Sequence, residues 1–217
     1  MSDTITLAQL KTRAKERANM EDSEFVSPSE LLSYINTSYA ELYDLLVASF
    51  ENYYTTSTQS TVTGGSNSID LPADFYKLAG IDYKTGSSWT TVGRWNFTNR
   101  NKNTNTRQYR ILKNQVYLLP EEKAEGTYRL WYTPRITRLV DDTDTIDAIN
   151  GWEEHIIVNT AIKMLTKEES DVSALLVEKS GIERRIEVMA ENRDSDPETI
   201  TDVMSGVGDS STHRWDY

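Results

Sequence analysis

The residues able to do chemistry in this chain are few, and their spacing does not form a catalytic set. There are two histidines. His155 follows Glu153 by two positions in a stretch of helical pattern, a separation that puts the two side chains on different faces. His213 lies in a polar terminal segment. Neither belongs to a repeated ligand pattern such as H-E-x-x-H, and both read as surface or packing residues. There is no cysteine, which excludes disulfides, thiolate metal sites and thiol nucleophiles and suits a reducing compartment. Asp141, Asp142, Asp144 and Asp147 cluster, but a calcium loop begun at Asp142 puts Ile146 and Asp147 where an oxygen ligand and a glycine are required. Weak attraction for hard cations is all that run retains. Gly64-Gly65-Ser66 and Gly206-Val207-Gly208 are too short to cradle a phosphate and lack the accompanying lysine. No G-x-S-x-G elbow is present, and with 34 acidic residues no carboxylate pair stands out. The expectation is a non-enzyme with no catalytic residue, no cofactor and no metal.

What stands out is charge and aromatic content. The net charge is −11, which argues against a protein that wraps nucleic acid by neutralising phosphates. Yet no acidic residue occurs between Asp82 and Glu121. That stretch carries seven basic ones, Lys84, Arg94, Arg100, Lys102, Arg107, Arg110 and Lys113, leaving −18 for the remainder. So dipolar a protomer is suited to orienting against a partner, although such a run also fits a solvated loop. Five tryptophans and twelve tyrosines read mainly as core and hairpin packing. Trp215 and Tyr217 differ, because two aromatics ending a polar segment have no local core to enter and suit a partner's pocket.

The elements that must position these residues can be read in turn. Thr6 with Gln9 predicts a capping box and a helix from Leu7 to about Met20. Ser27, Pro28 and Glu30 predict a second start, with Leu32, Ile35, Tyr39, Leu42, Leu46 and Phe50 on one face. Residues 53–63, the turn at 64–67 and Ile69 and Leu71 read as a β-hairpin. Pro72 ends that strand and opens a helical turn. Residues 98–108 read as a mobile loop. Residues 109–112 and 115–119 form a tight hairpin, with Asn114 in the left-handed region. Tyr128, Leu130 and Tyr132 alternate along a third strand. After the acidic linker 141–147, Asn150 caps a helix with Glu153 at its third position and Trp152, Ile156, Thr160, Ala161 or Ile162, and Leu165 as its stripe. Ser170 or Asp171 starts the last helix, with Val172, Leu175, Leu176, Ile182, Ile186 and Met189 on one face.

The expected fold class is α+β: a four-helix bundle with an inserted small antiparallel β-sheet and an extended C-terminal tail. The expected division is 1–52 for the N-terminal helices, 53–140 for the β-rich insert with its basic loop at 84–113, 141–192 for the C-terminal helices, and 193–217 for a flexible tail. That tail holds six acidic residues and two arginines and has no apolar periodicity. No apolar run approaches the roughly 20 residues of a membrane span, and the first residues lack the pattern of a signal peptide.

From about Thr61 to Asp171 the chain resembles the adaptor, or head-completion, proteins of short-tailed phages, also called tail-tubular-A-like proteins. The resemblance lies in the order of Ile69-Asp70-Leu71-Pro72-Ala73-Asp74-Phe75, Leu78-Ala79-Gly80-Ile81-Asp82-Tyr83, the pair Tyr109-Arg110-Ile111-Leu112 and Val116-Tyr117-Leu118-Leu119-Pro120, Tyr128-Arg129-Leu130-Trp131-Tyr132-Thr133-Pro134, the acidic linker, Trp152-Glu153-Glu154-His155-Ile156-Ile157 and Lys167-Glu168-Glu169-Ser170-Asp171. It implies a homo-oligomeric ring, commonly dodecameric, made in the host cytoplasm and placed at the head–tail junction of the virion. The implied partners are the portal protein, a tail tube or nozzle protein, and genomic DNA that passes through the lumen without sequence-specific binding. It also implies a C-terminal arm reaching the portal, which assigns docking to Arg214, Trp215 and Tyr217. Arg100, Lys102 and Arg107 are the candidate ring- or DNA-facing residues of the basic loop. Two readings from other classes compete: a carbohydrate- or surface-binding virion module using Trp89, Trp95 and the Asn-rich loop, and a hydrolase using scattered carboxylates.

Overall fold

The computed structural model describes residues 4–50, 52–96, 98 and 105–191. Both expected capping boxes are present. Thr6 caps α1 (Leu7–Arg17) and exchanges bonds with Gln9, and Ser27 does the same with Glu30 ahead of α2 (Pro28–Ser49). Helix α1 stops short of Met20 because Asn19 turns left-handed, with φ 54°, and the Met20 amide bonds back to the Lys15 carbonyl at 2.9 Å. That closure satisfies carbonyls a longer helix would have used.

The third helix, α3 (Glu153–Lys167), is the centre of the helical layer. Every residue from His155 to Ile162 is buried, as is Met164, so it has no single stripe. It packs against α1, α2 and α4 (Ser173–Glu191). Asn150 does not cap it. Asn150 takes φ 53° in a short turn, the helix begins after Trp152, and no side chain caps it. Glu153 and Glu154 in its first turn complement the amide end instead, and both bond to Arg13, at 3.3 and 2.7 Å. Asp171 does start α4, its carboxylate accepting from the Ser173 amide at 2.9 Å. The expected stripe of α4 is only partly right: Ile186 is buried, but Leu176 and Met189 are each 50% exposed.

Between α2 and α3 the chain is largely sheet. Strands β2 (Thr56–Val62), β3 (Ser68–Asp70), β4 (Phe75–Thr85), β5 (Ser88–Thr91), β6 (Gly93–Arg94), β7 (Gln108–Leu112), β8 (Gln115–Leu119) and β9 (Gly126–Pro134) form two four-stranded sheets. One has the order β2-β9-β4-β5 and is antiparallel throughout. The other has the order β3-β8-β7-β6, with β6 and β7 parallel. They share a core to which the first gives Val62, Ile81, Tyr128 and Leu130 and the second Ile69, Val116 and Leu118. A third, two-stranded ribbon pairs β1 (Thr4–Thr6) with β10 (Thr145–Asp147), matching Ile5 to Ile146.

These pairings correct the expected layout. The described residues hold four α-helices and ten strands in three sheets, so the fold is a β-rich α+β arrangement and not a four-helix bundle carrying a small inserted sheet. The expected extended tail, 193–217, lies outside the described residues. The predicted hairpin across 64–67 is not one: β2 pairs with β9 and β3 with β8, so the turn carries the chain from one sheet to the other. The turn after Pro72 is a β-turn, closed by the Phe75 amide on the Pro72 carbonyl at 3.0 Å, and it launches the longest strand. The predicted hairpin of β7 and β8 is present in register, but Lys113, with φ 56°, takes the left-handed position.

Leu130 is fully buried at the middle of β9. Its replacement by alanine removes most of a core side chain and leaves a cavity, so Leu130→Ala is expected to cost about 2–5 kcal/mol. Urea unfolding measures this, with little change in the slope of free energy against denaturant.

Candidate docking surfaces

Aromatic side chains join the helical layer to the sheets. Tyr43 of α2 stacks on Tyr54 with ring centres 4.4 Å apart, Tyr54 meets Tyr53 at 4.6 Å, and Tyr53 meets Trp152 at 6.0 Å. The Tyr43 hydroxyl donates to the Pro134 carbonyl at the end of β9, at 2.5 Å. Burial, with neighbouring tyrosines and carboxylates, pushes the Tyr43 hydroxyl up to about 12. It therefore stays a donor.

Behind this junction lies a polar network that sequence reasoning missed. Glu41 of α2 accepts from Lys163 at 2.8 Å, Asn159 at 2.7 Å and Lys179 at 3.3 Å. Burial alone would raise the Glu41 carboxyl, but these bonds hold it below its ordinary value. Buried Ser38 and Thr160 share a bond at 3.3 Å. His155, 1% exposed, sets Nε2 3.3 Å from Glu183. A carboxylate there favours the tautomer with its proton on Nε2, and Nδ1 is buried without a partner. That is the nitrogen a nucleophile would need. The network ties α2, α3 and α4 together through charge-assisted bonds.

The acidic linker is also structural. Asp144 accepts from the Val140 and Asp141 amides at 2.7 and 2.9 Å, which holds its carboxyl below the usual range, and Asp142 pairs with Lys11 at 2.6 Å. Among the described residues no group of three or more His, Asp or Glu side chains could hold a metal ion, and no helix is long and apolar enough to cross a membrane.

The outer face of the β2-β9-β4-β5 sheet carries stacked cations and rings. The Arg129 guanidinium lies 4.0 Å from the Trp89 ring centre and 5.5 Å from that of Trp131, with the Lys84 ammonium 6.0 Å from Trp89. Asp82 accepts from the Trp131 indole at 2.7 Å and from Thr91 at 3.3 Å. Arg110 lies 5.7 Å from the Trp95 ring centre. A face of Trp89 and of Trp95 that a sugar would stack on is thus taken by a guanidinium. Arg107 is held too, 3.6 Å over the Tyr83 ring, with its Nε donating to the Lys123 carbonyl at 3.0 Å. That ring lies so close to Gly126 that a Cβ there would sit 2.5 Å from it, on backbone with φ 136°. Of the sequence-predicted site residues, Arg107 is therefore packed, half-buried, against the β-rich layers. Arg100, Lys102, Arg214, Trp215 and Tyr217 lie outside the described residues.

Among the described residues the single buried imidazole, that of His155, is held by Glu183, and its other ring nitrogen meets no hydrogen-bonding partner. The model of the SU10 adaptor protein family matches residues 5–201. The chain belongs to that family of phage head–tail adaptors, and so is a structural component of the virion. No curated protein matches the chain.

Burial lowers the His155 pKa, an effect that Glu183 opposes and Lys179 adds to. In the unfolded chain the imidazole takes a proton near its ordinary value of 6.5 while the folded one resists, so stability is present above that pH and declines below it. Free energies of unfolding from about pH 7 to pH 5 are expected to fall by less than about 1.4 kcal/mol per pH unit from this group. His155→Gln is expected to flatten that interval. The lowered carboxylates act only further into acid.

Proposed function

We propose that this adaptor works as one subunit of a ring, commonly of twelve, seated below the portal, where it extends the DNA channel and offers the platform for the tail tube or nozzle. The observation that carries the reading is the family match over residues 5–201. Three physical features support it. An overall net charge of −11 disfavours tight phosphate binding, so DNA can pass without being held. The basic run from Lys84 to Lys113, set against the acidic remainder of the chain, gives each protomer an oriented field. The aromatic pair Trp215 and Tyr217, with Arg214, closes a polar C-terminal segment suited to docking in portal pockets, and the arrangement makes attachment conditional on the portal. Arg100, Lys102 and Arg107 are the residues of the basic run assigned to contact with a neighbouring subunit or the DNA, Arg107 from its position over the Tyr83 ring.

The reading is tested by mixing the purified chain with portal and imaging the product by negative stain, with native mass spectrometry of the chain alone and of the mixture. A ring on the portal is expected. Deleting Ser205 to Tyr217 is expected to leave the circular dichroism and melting temperature unchanged while abolishing portal docking. Docking by the truncated chain at normal yield would remove the arm from the account. A monomer in every mixture would remove the ring.

A further inference from the structure

Among the described residues the sheet β2-β9-β4-β5 ends in two strands that each pair on one side. Strand β2, Thr-Ser-Thr-Gln-Ser-Thr-Val, pairs with β9 over seven consecutive residues, Thr56 with Tyr132 through Val62 with Gly126, without a bulge. Among the described residues no strand of the sheet lies on its other side. About half of its backbone amides and carbonyls therefore point away from the sheet. Proteins normally guard such an edge with lysine, proline, a bulge or a covering loop. Here residues 52–69 contain no charged residue and no proline, in a chain that is 26% charged. At the opposite edge β5, Ser-Trp-Thr-Thr, is also uncharged and mostly exposed, and among the described residues it pairs with β4 alone.

We propose that the β2 edge of one copy pairs with the β5 edge of the next, so that the sheet runs on from subunit to subunit. The topology of the sheet suits a second copy as the occupant. Strand direction alternates across the four strands, so β2 and β5 run in opposite senses. A neighbour brought alongside by rotation about a ring axis, with its sheet facing the same way, presents β5 antiparallel to β2. The two edges differ, so the contact is head-to-tail, the kind that closes into a ring and not into a two-fold dimer. Neither strand brings a charge that would be buried or opposed. Ser57, Gln59 and Thr61 of β2 share the outer face with Thr91 of β5, since Gln59 lies opposite Arg129, Arg129 opposite Asp82, and Asp82 opposite Thr91.

The inference rests on the ring reading above, and the test separates the two. The chain has no cysteine, so introduced pairs report alone. Ser57→Cys, Gln59→Cys and Thr61→Cys are each combined with Thr91→Cys in the full chain, assembled with portal and oxidised. At least one combination is expected to give a ladder of covalent multimers that the single-cysteine chains do not. Rings seen by negative stain with no ladder from any pair would overturn the edge contact and leave the ring standing. Covalent dimers from Gln59→Cys alone would overturn it in favour of two-fold pairing. No ring of any kind overturns both. Independently, Ser57→Lys with Gln59→Lys puts charge on the β2 edge. Its free chain is expected to melt as the parent does, with ring yield on portal reduced at least tenfold, and ring yield equal to the parent's defeats the proposal.

Discussion

The fold depends on β9. Tyr128, Leu130 and Tyr132 point into the core with little or no exposure, while Arg129 and Trp131 point outward to the stacked face. Both sides of its backbone are used, by β2 and by β4. The carbonyl of its last residue accepts from Tyr43, so the strand also anchors α2. Because β9 and β4 fill the middle of the sheet, β2 and β5 are left as its edges.

The helical layer solves a different problem. Helix α3 is surrounded, so its polar residues have to be satisfied within the protein. Asn159, Thr160 and Lys163 bond to Ser38, Glu41 and each other's neighbours, and His155 takes Glu183. Breaking one such pair leaves a buried group unmatched, which costs more than the pair gains over water. The network therefore fixes the register of α2, α3 and α4, while Tyr43, bonded to the Pro134 carbonyl and 6.2 Å from the Tyr76 ring of β4, ties that layer to the sheet.

What the sequence makes legible is what is local. A capping box needs four residues, so Thr6 with Gln9 and Ser27 with Glu30 carry their whole signal locally. The β7–β8 hairpin needs a tight turn and two alternating runs, and the alternation of β9 marks its buried face. The pairing partners are another matter. Turn residues at 64–67 sit between two strands, as they would in a hairpin, and nothing nearby says that β2 pairs with a strand some seventy positions on. The ribbon of β1 and β10 joins segments some 140 positions apart, and strands of three residues carry no periodic signal. Asn150 has the right type and spacing for a cap, but Gly151 after it allows a second left-handed residue, with φ 76°, and the chain turns before the helix begins. Glu153 and His155 do lie apart, as their spacing requires; the partner of His155 comes from α4, 28 positions away.

The polar character of β2 bears on how such an edge is tolerated. Joining it to a strand of another copy exchanges backbone bonds to water for bonds between chains, a net gain of about 1 kcal/mol each at most sites. Threonine, serine and glutamine side chains add little apolar area to that gain. Two copies meeting at one edge also lose translational and rotational freedom, which opposes a weak contact strongly. A pair in free solution is therefore short-lived, and the unguarded strand does not commit the protein to aggregation. In a closed ring each subunit has two such contacts, and the last one forms between partners already held in place. The same polarity that makes a single edge contact weak thus makes assembly depend on closure around a template.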